Sequence, residues 1–174
     1  MESTKEFQEE TRRYFDRLAK DYDDSCDGRF VRCMYREVIR RAVSLPGDRV
    51  LDLGCGNGNL IRMLREVKQV SCWGADLSPQ MIREAGKNLG DGVNLAVADA
   101  ASLPYGDGQF DIVICNASFH HYTEPERAVE EIRRVLRTGG TLILGDPTIP
   151  GRLARKLLNQ SVHKRDSGDF KIYG

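Results

Sequence analysis

Apolar positions along this chain follow two rhythms. Up to about residue 44 they recur at helical spacing. Phe7, Tyr14, Phe15 and Leu18 interrupt a highly charged stretch over 4–20, which predicts an amphipathic helix. Phe30, Met34, Val38 and Ala42 share one face of a second predicted helix over 30–44. Arg29, Arg32, Arg36 and Arg40 form a row on another face, read as solvated. From Arg49 onward short apolar runs take over. Those near 49–53, 70–75, 93–97, 111–115 and 141–145 read as strands, with helices predicted near 58–67, 79–89 and 125–137. Ser78-Pro79 is an N-cap followed by proline at the first helical position. Thr123 and Glu126 have the spacing of a capping box. Gly139-Gly140 reads as the end of the last helix and the turn into the fifth strand.

Strands alternating with helices imply right-handed crossovers and a mainly parallel, doubly wound α/β sheet covered on both faces. Such sheets hold their ligand where the strand order reverses, beside the first strand. The chain of 174 residues reads as one domain. Residues 1–46 form a helical arm or lid, 47–146 the α/β core, and 147–174 a basic helix with Leu153, Leu157 and Leu158 followed by a polar tail.

Composition narrows the picture by exclusion. Lys plus Arg and Asp plus Glu both number 26, so no overall basic field exists to bind nucleic acid non-specifically. No apolar run approaches the roughly 18 residues of a membrane span. The polar N-terminus does not read as a signal peptide. Cys26, Cys33, Cys55, Cys72 and Cys115 show no metal-like spacing. A cytoplasmic, reduced protein without a metal site is expected.

The most telling segment is Val50-Leu51-Asp52-Leu53-Gly54-Cys55-Gly56-Asn57-Gly58-Asn59. It reads as a strand, an acid near its end, and alternating glycines opening a helix. That order serves to hold nucleotide-like ligands, because glycines permit sharp turns and close approach while the helix start offers free N–H groups. A dinucleotide fingerprint would want glycine at position 59, where asparagine stands.

Four segments together go further. VLDLGCGNG, GADLSPQMI at 74–82, VADAASLPYGDGQFDIVICNASFHHY at 97–122 and LRTGGTLIL at 136–144 resemble, in order and spacing, the class I S-adenosylmethionine-dependent methyltransferases. The small-molecule branch of that superfamily is the nearer likeness, over roughly residues 14–146. The resemblance implies a Rossmann-like fold, S-adenosylmethionine as cofactor, and a small-molecule methyl acceptor approached in line. Two alternatives stay open: a cofactor-binding fragment without catalysis, and a nicotinamide-dependent oxidoreductase.

Residues then acquire expected roles. Gly54, Gly56 and Gly58 let the loop pass close to the methionine and ribose parts of the ligand. The family counterpart of Asp52 helps organise the loop and the ligand's ammonium, often indirectly, with a purely structural role the alternative. Asp76 stands 22 residues after Gly54, where a carboxylate can accept from both ribose hydroxyls, or alternatively cap a helix. Leu77 and Met81 could pack beside the adenine, with core packing the alternative for Met81. The resemblance assigns Asp99 to the exocyclic amine of adenine, with Ala98 and Ala100 flanking the ring; a loop acid without ligand contact is the alternative. Asn116 faces the sulfonium and the acceptor in the family. His120 and His121 follow it, and one could serve as general base or orient a substrate. Tyr14 and Tyr22 lie in the arm, where they either touch ligand or merely pack.

After Asp146 only 28 residues follow. The fold resembled continues with a helix and two further strands, which do not fit. A sheet lacking its last two strands, in a truncated form, is therefore expected. The apolar fifth strand, Thr141 to Gly145, would then be an edge prone to self-association or covered by 151–174.

Overall fold

The structure, a computed structural model, describes residues 4–147. Helix α1 (Thr4–Leu18), a 3₁₀ turn (Ala19–Asp24) and helix α2 (Cys26–Ser44) precede the sheet. Then come β1 (Arg49–Leu53), α3 (Asn59–Val67), β2 (Ser71–Asp76), α4 (Pro79–Leu89) and β3 (Asn94–Val97). The second half holds β4 (Phe110–Asn116), a 3₁₀ turn (Phe119–His121), α5 (Pro125–Val135) and β5 (Leu136–Gly145). The strands line up as β3-β2-β1-β4-β5, every neighbouring pair parallel. The chain thus winds outward from β1 in one direction, then restarts beside it at β4. The crevice at the carboxyl ends of β1 and β4 is the switch point of the sheet.

Both faces of the central strands are buried, which is why the sequence shows continuous apolar runs there. Val50, Ile112 and Ile114 pack toward α2 and α3 with Val38, Ala42, Leu60 and Leu64. Leu51, Leu53, Phe110 and Val113 pack toward α5 with Ala128, Ile132 and Val135. Among the described residues no helix is long and apolar enough to cross a membrane.

Several sequence expectations need correction. Helix α2 begins at Cys26, capped by the Ser25 hydroxyl, which accepts from Gly28 N at 3.0 Å. Its buried row is Val31, Tyr35, Val38 and Ala42, whereas Phe30 is 53% exposed. At about 100° per residue, Phe30 lies roughly 80° from Val38 around the axis and Val31 only about 20°. The arginine row is exposed throughout. Glu124, not Thr123, holds the N-cap position of α5, without a side-chain hydrogen bond to the helix start, and no capping box forms. Gly139-Gly140 does not terminate that helix. Helix α5 ends at Val135, and the glycines lie inside β5. There the register jumps from Phe110↔Leu136 to Ile112↔Thr141. The irregularity brings Arg137 onto Asp111, which also accepts from Arg49 and from the backbone of Asp48 and Arg49. The Arg49 guanidinium, backed by Arg137, holds the Asp111 carboxyl well below the usual carboxylate range. This cluster ties the amino ends of β1, β4 and β5 together, opposite the switch point.

Ser78 does cap α4, accepting from Met81 N at 3.0 Å, with Pro79 in the first turn. Among the described residues β5 is a sheet edge, and its Leu144 is exposed. The basic helix expected over 151–174 lies outside the described residues.

Candidate functional site

Strand β1 runs into the switch point and turns sharply. Gly54 N and Cys55 N both donate to Ala75 O, at 2.8 and 3.1 Å, binding the turn to β2. Gly54 takes φ +77°, a conformation that costs a side chain free energy. Gly56 has nothing within 4 Å of where its Cβ would stand, so the turn presents open space there. Gly58 differs. It caps α3 and packs against Leu89 and Ala85 of α4, off the lining of the cavity.

That cavity, about 990 Å³ counting its open mouth, collects residues from the carboxyl ends of β1, β2 and β4 and from the loop after β3. Asp52, Asp76 and Asp99 all line it, from β1, the end of β2 and the loop after β3. Asp76 Oδ2 accepts from Gly56 N at 2.8 Å and Oδ1 from Ser78 N at 2.9 Å. The carboxylate therefore braces the glycine turn and the start of α4. Burial pushes its pKa up, against the opposing effect of those N–H groups. Asp52 is 3% exposed and its carboxyl is pushed up to about 7, by burial first and then by the charge of Asp76. A carboxylate so placed gains most from a cation brought into the cavity.

Asp99 Oδ1 accepts from Ala101 N at 2.9 Å, and its Oδ2 accepts from Gln8 Nε2 at 2.6 Å. Leu77, Met81, Ala98 and Ala100 line the same end of the cleft. Met81 is also wholly buried.

The arm forms the roof. Gln8, Thr11, Phe15 and Tyr22 line the cavity, as do Val31 and Tyr35 of α2. Two carboxylates fasten the arm to helix starts, where acids are favoured. Asp16 accepts from Ser78 Oγ at 2.6 Å and Gln80 N at 3.2 Å at the head of α4. Asp23 accepts from Asn57 and Asn59 at 2.9 and 2.7 Å at the head of α3. Burial pushes the Tyr22 and Tyr35 phenols up, and the charges of Asp76 and Asp52 add to it. Tyr14 does not line the cavity. Its hydroxyl donates to Asp27 at 2.8 Å instead.

Strand β4 supplies the floor. Asn116 is 7% exposed and lines the cavity, yet neither its Oδ1 nor its Nδ2 has a hydrogen-bond partner. Buried amides left unpaired are costly, which makes Asn116 a candidate for contact with a ligand. Ala117 follows at φ +52°, and this left-handed step tucks Ser118 beneath Gly54. Ser118 Oγ donates to Leu53 O at 3.0 Å and lies 3.2 Å from the Tyr122 hydroxyl. His121 lines the cavity with its ring edge-on to Phe15. His120 is turned away from the lining. It is buried, with Nδ1 2.9 Å from Asp146 Oδ1 and its ring stacked obliquely on His121.

Gln8, Tyr35 and Ser118 carry no sequence motif, and only the packing of arm, α2 and the turn after β4 reveals them. Phe15 was legible as an apolar arm position but not as part of the site.

Residues 51–144 match the family described as Methyltransferase domain. The chain is 37% identical over 115 residues to 27-O-demethylrifamycin SV methyltransferase of Amycolatopsis mediterranei, covering 62% of this chain and 42% of that protein. It is 31% identical over 140 residues to demethylmenaquinone methyltransferase of Thermotoga maritima, covering 76% of this chain and 59% of that protein. The crystal structure of the YcgJ protein from Bacillus subtilis superposes with a TM-score of 0.72 at 28% identity, over 81% of this chain and 62% of that one. The chain spans about half the length of the curated relatives it matches.

Proposed function

The chain belongs to the methyltransferase domain family, of the class I S-adenosylmethionine-dependent type, and from that premise we propose that it binds S-adenosylmethionine in this cleft and passes the methyl group to a small-molecule acceptor. The observation that carries the proposal is the convergence of Asp52, Asp76, Asp99 and the unpaired Asn116 amide on one cavity beside an open glycine turn.

When bound, S-adenosylmethionine supplies a methyl group on a sulfonium, ready for displacement. The chain's own contribution is to bind and align, and positioning of this kind can lower a barrier by several kcal/mol. Asp76 keeps acceptor positions for the two ribose hydroxyls while its other lone pairs hold the turn. Asp99 accepts from the adenine amine, with Leu77 and Met81 beside the ring. Asp52, buried on the lining of the cavity, meets the ligand's ammonium. Asn116 satisfies its amide on the acceptor or beside the sulfonium. Phe15, Tyr22 and Tyr35 close the roof and exclude water, which strengthens each of these contacts. His121, on the lining between Phe15 and His120, orients the acceptor or takes its proton.

The two relatives act, by their names, on a rifamycin and on demethylmenaquinone, which supports a small-molecule acceptor. The five cysteines are all free thiols, which supports a reduced, cytoplasmic setting. Calorimetric titration with S-adenosylmethionine, its demethylated product and NAD is the test. Binding of the first two and not the third is expected, and binding of NAD alone would overturn the proposal. Transfer of labelled methyl to a small-molecule pool distinguishes an enzyme from a domain that only holds the cofactor.

A further inference from the structure

The geometry points to Gln8 as a specificity residue, carried on the arm, that reads the 6-amino group of the purine together with Asp99. The inference rests on the assignment of adenine to Asp99 made above, and it adds a second reader from a different part of the chain.

Gln8 and Asp99 are 91 positions apart in sequence, yet Gln8 Nε2 donates to Asp99 Oδ2 at 2.6 Å on the lining of the cavity. This bond fixes which end of the carboxamide points where. With the nitrogen held on the carboxylate, the Gln8 carbonyl oxygen accepts from no donor among the described residues. Asp99 Oδ1 is already engaged by Ala101 N. The pair therefore offers two acceptors side by side: the second lone pair of Asp99 Oδ2 and the Gln8 Oε1. A primary amine has two hydrogens and satisfies both.

A 6-oxo purine places an acceptor against the same pair. Gln8 could meet it only by reversing its amide, which would forfeit the bond to Asp99 and set two oxygens against each other. Leaving buried polar groups unpaired is how a site rejects a near-isostere. The arm that carries Gln8 is held down through Asp16 and Asp23 at the heads of α4 and α3.

The experiment compares S-adenosylhomocysteine with S-inosylhomocysteine, in which the amine is replaced by an oxo group, by calorimetry on the wild-type chain, Gln8→Met and Asp99→Ala. Methionine matches glutamine in length and helix propensity but cannot make either hydrogen bond. The wild type is expected to prefer the amine form. Gln8→Met is expected to lose about three- to tenfold of that preference, the worth of one neutral hydrogen bond. An unchanged preference in Gln8→Met, with a preference lost in Asp99→Ala, would overturn the role of Gln8 and leave the adenine assignment standing. Tighter binding of the amine form by Gln8→Met would also overturn it, since Gln8 would then merely block Asp99. Failure of the wild type to bind either nucleoside would defeat the proposed function itself, and this inference with it.

Discussion

Gly54 and Ser118 lie so close that a Cβ on Gly54 would stand 2.4 Å from the Ser118 Cβ and 2.6 Å from its hydroxyl oxygen. The first glycine of the turn is thus required twice: by its backbone angle, and by the side chain from β4 packed beneath it. Its absence of a side chain serves the joint between β1 and β4 as much as any ligand. Gly54→Ala should cost at least about 2 kcal/mol in urea unfolding, from the left-handed backbone and the clash combined. Adding Ser118→Gly removes the clash but also the bond to Leu53 O. The double variant should still be more stable than the sum of the two single losses. Strict additivity would show that the contact carries no weight.

Asp52 predicts an opposition between stability and binding. Its folded carboxyl keeps its proton up to about 7, whereas an unfolded aspartate releases it near 3.9. The raised value makes the folded state bind protons more tightly. Stability from this residue is greatest below the unfolded value and declines as pH rises through the window from about 4 to 7, by up to roughly 4 kcal/mol. Asp52→Asn should therefore flatten this decline and raise the melting temperature at pH 8. The same variant should weaken S-adenosylmethionine, because the ammonium loses its charge partner. Thermal melts across pH, read beside calorimetry, check both signs.

Asp76→Asn isolates the acceptor count. Asparagine offers one oxygen where aspartate offers two, so Gly56 N and Ser78 N can no longer both be served alongside two ribose hydroxyls. Hydrogen bonds to a charged group are worth about 1.5–3 kcal/mol, so affinity should fall by roughly 10- to 150-fold. A dissociation constant within twofold of wild type would remove Asp76 from the site.

Asp23→Ala tests the fastening of the arm. The substitution removes the acceptor shared by Asn57 and Asn59. Amide exchange over residues 4–24 should speed up by an order of magnitude or more while β1 and β4 keep their protection, since the sheet core does not depend on the arm. Uniform loss of protection across both regions would mean that arm and core unfold as one unit.

Much of the fold was legible because strands buried on both faces leave a signature that needs no partner to be read. Val50 to Leu53 and Phe110 to Asn116 are apolar runs bounded by turn residues, and Ser78-Pro79 announces its helix chemically. Local rules failed where a distant group competed. The Thr123 capping box did not form, and Gly139-Gly140 went into β5, where the register shift accompanies Arg137 reaching Asp111. Phe30 and Val31 are equally apolar, and only the orientation of α2 on the sheet chose between them.

The site divides along the same line. Asp52, Asp76, Asp99 and Asn116 are picked out through the family resemblance of their motifs, and the structure brings all four to one cavity because each sits at or just beyond the end of a strand and a parallel sheet gathers such ends at one edge. Tyr14 and Tyr22 could not be told apart in that way. One donates to Asp27 and the other lines the cavity, a choice made by how the arm rotates as it crosses α4. Gln8 on Asp99, Ser118 under Gly54 and His120 on Asp146 belong wholly to the tertiary structure. They join positions 91, 64 and 26 residues apart. Spacing along a chain encodes periodicity and turn chemistry, but which side chains meet across such distances is decided only when whole elements pack.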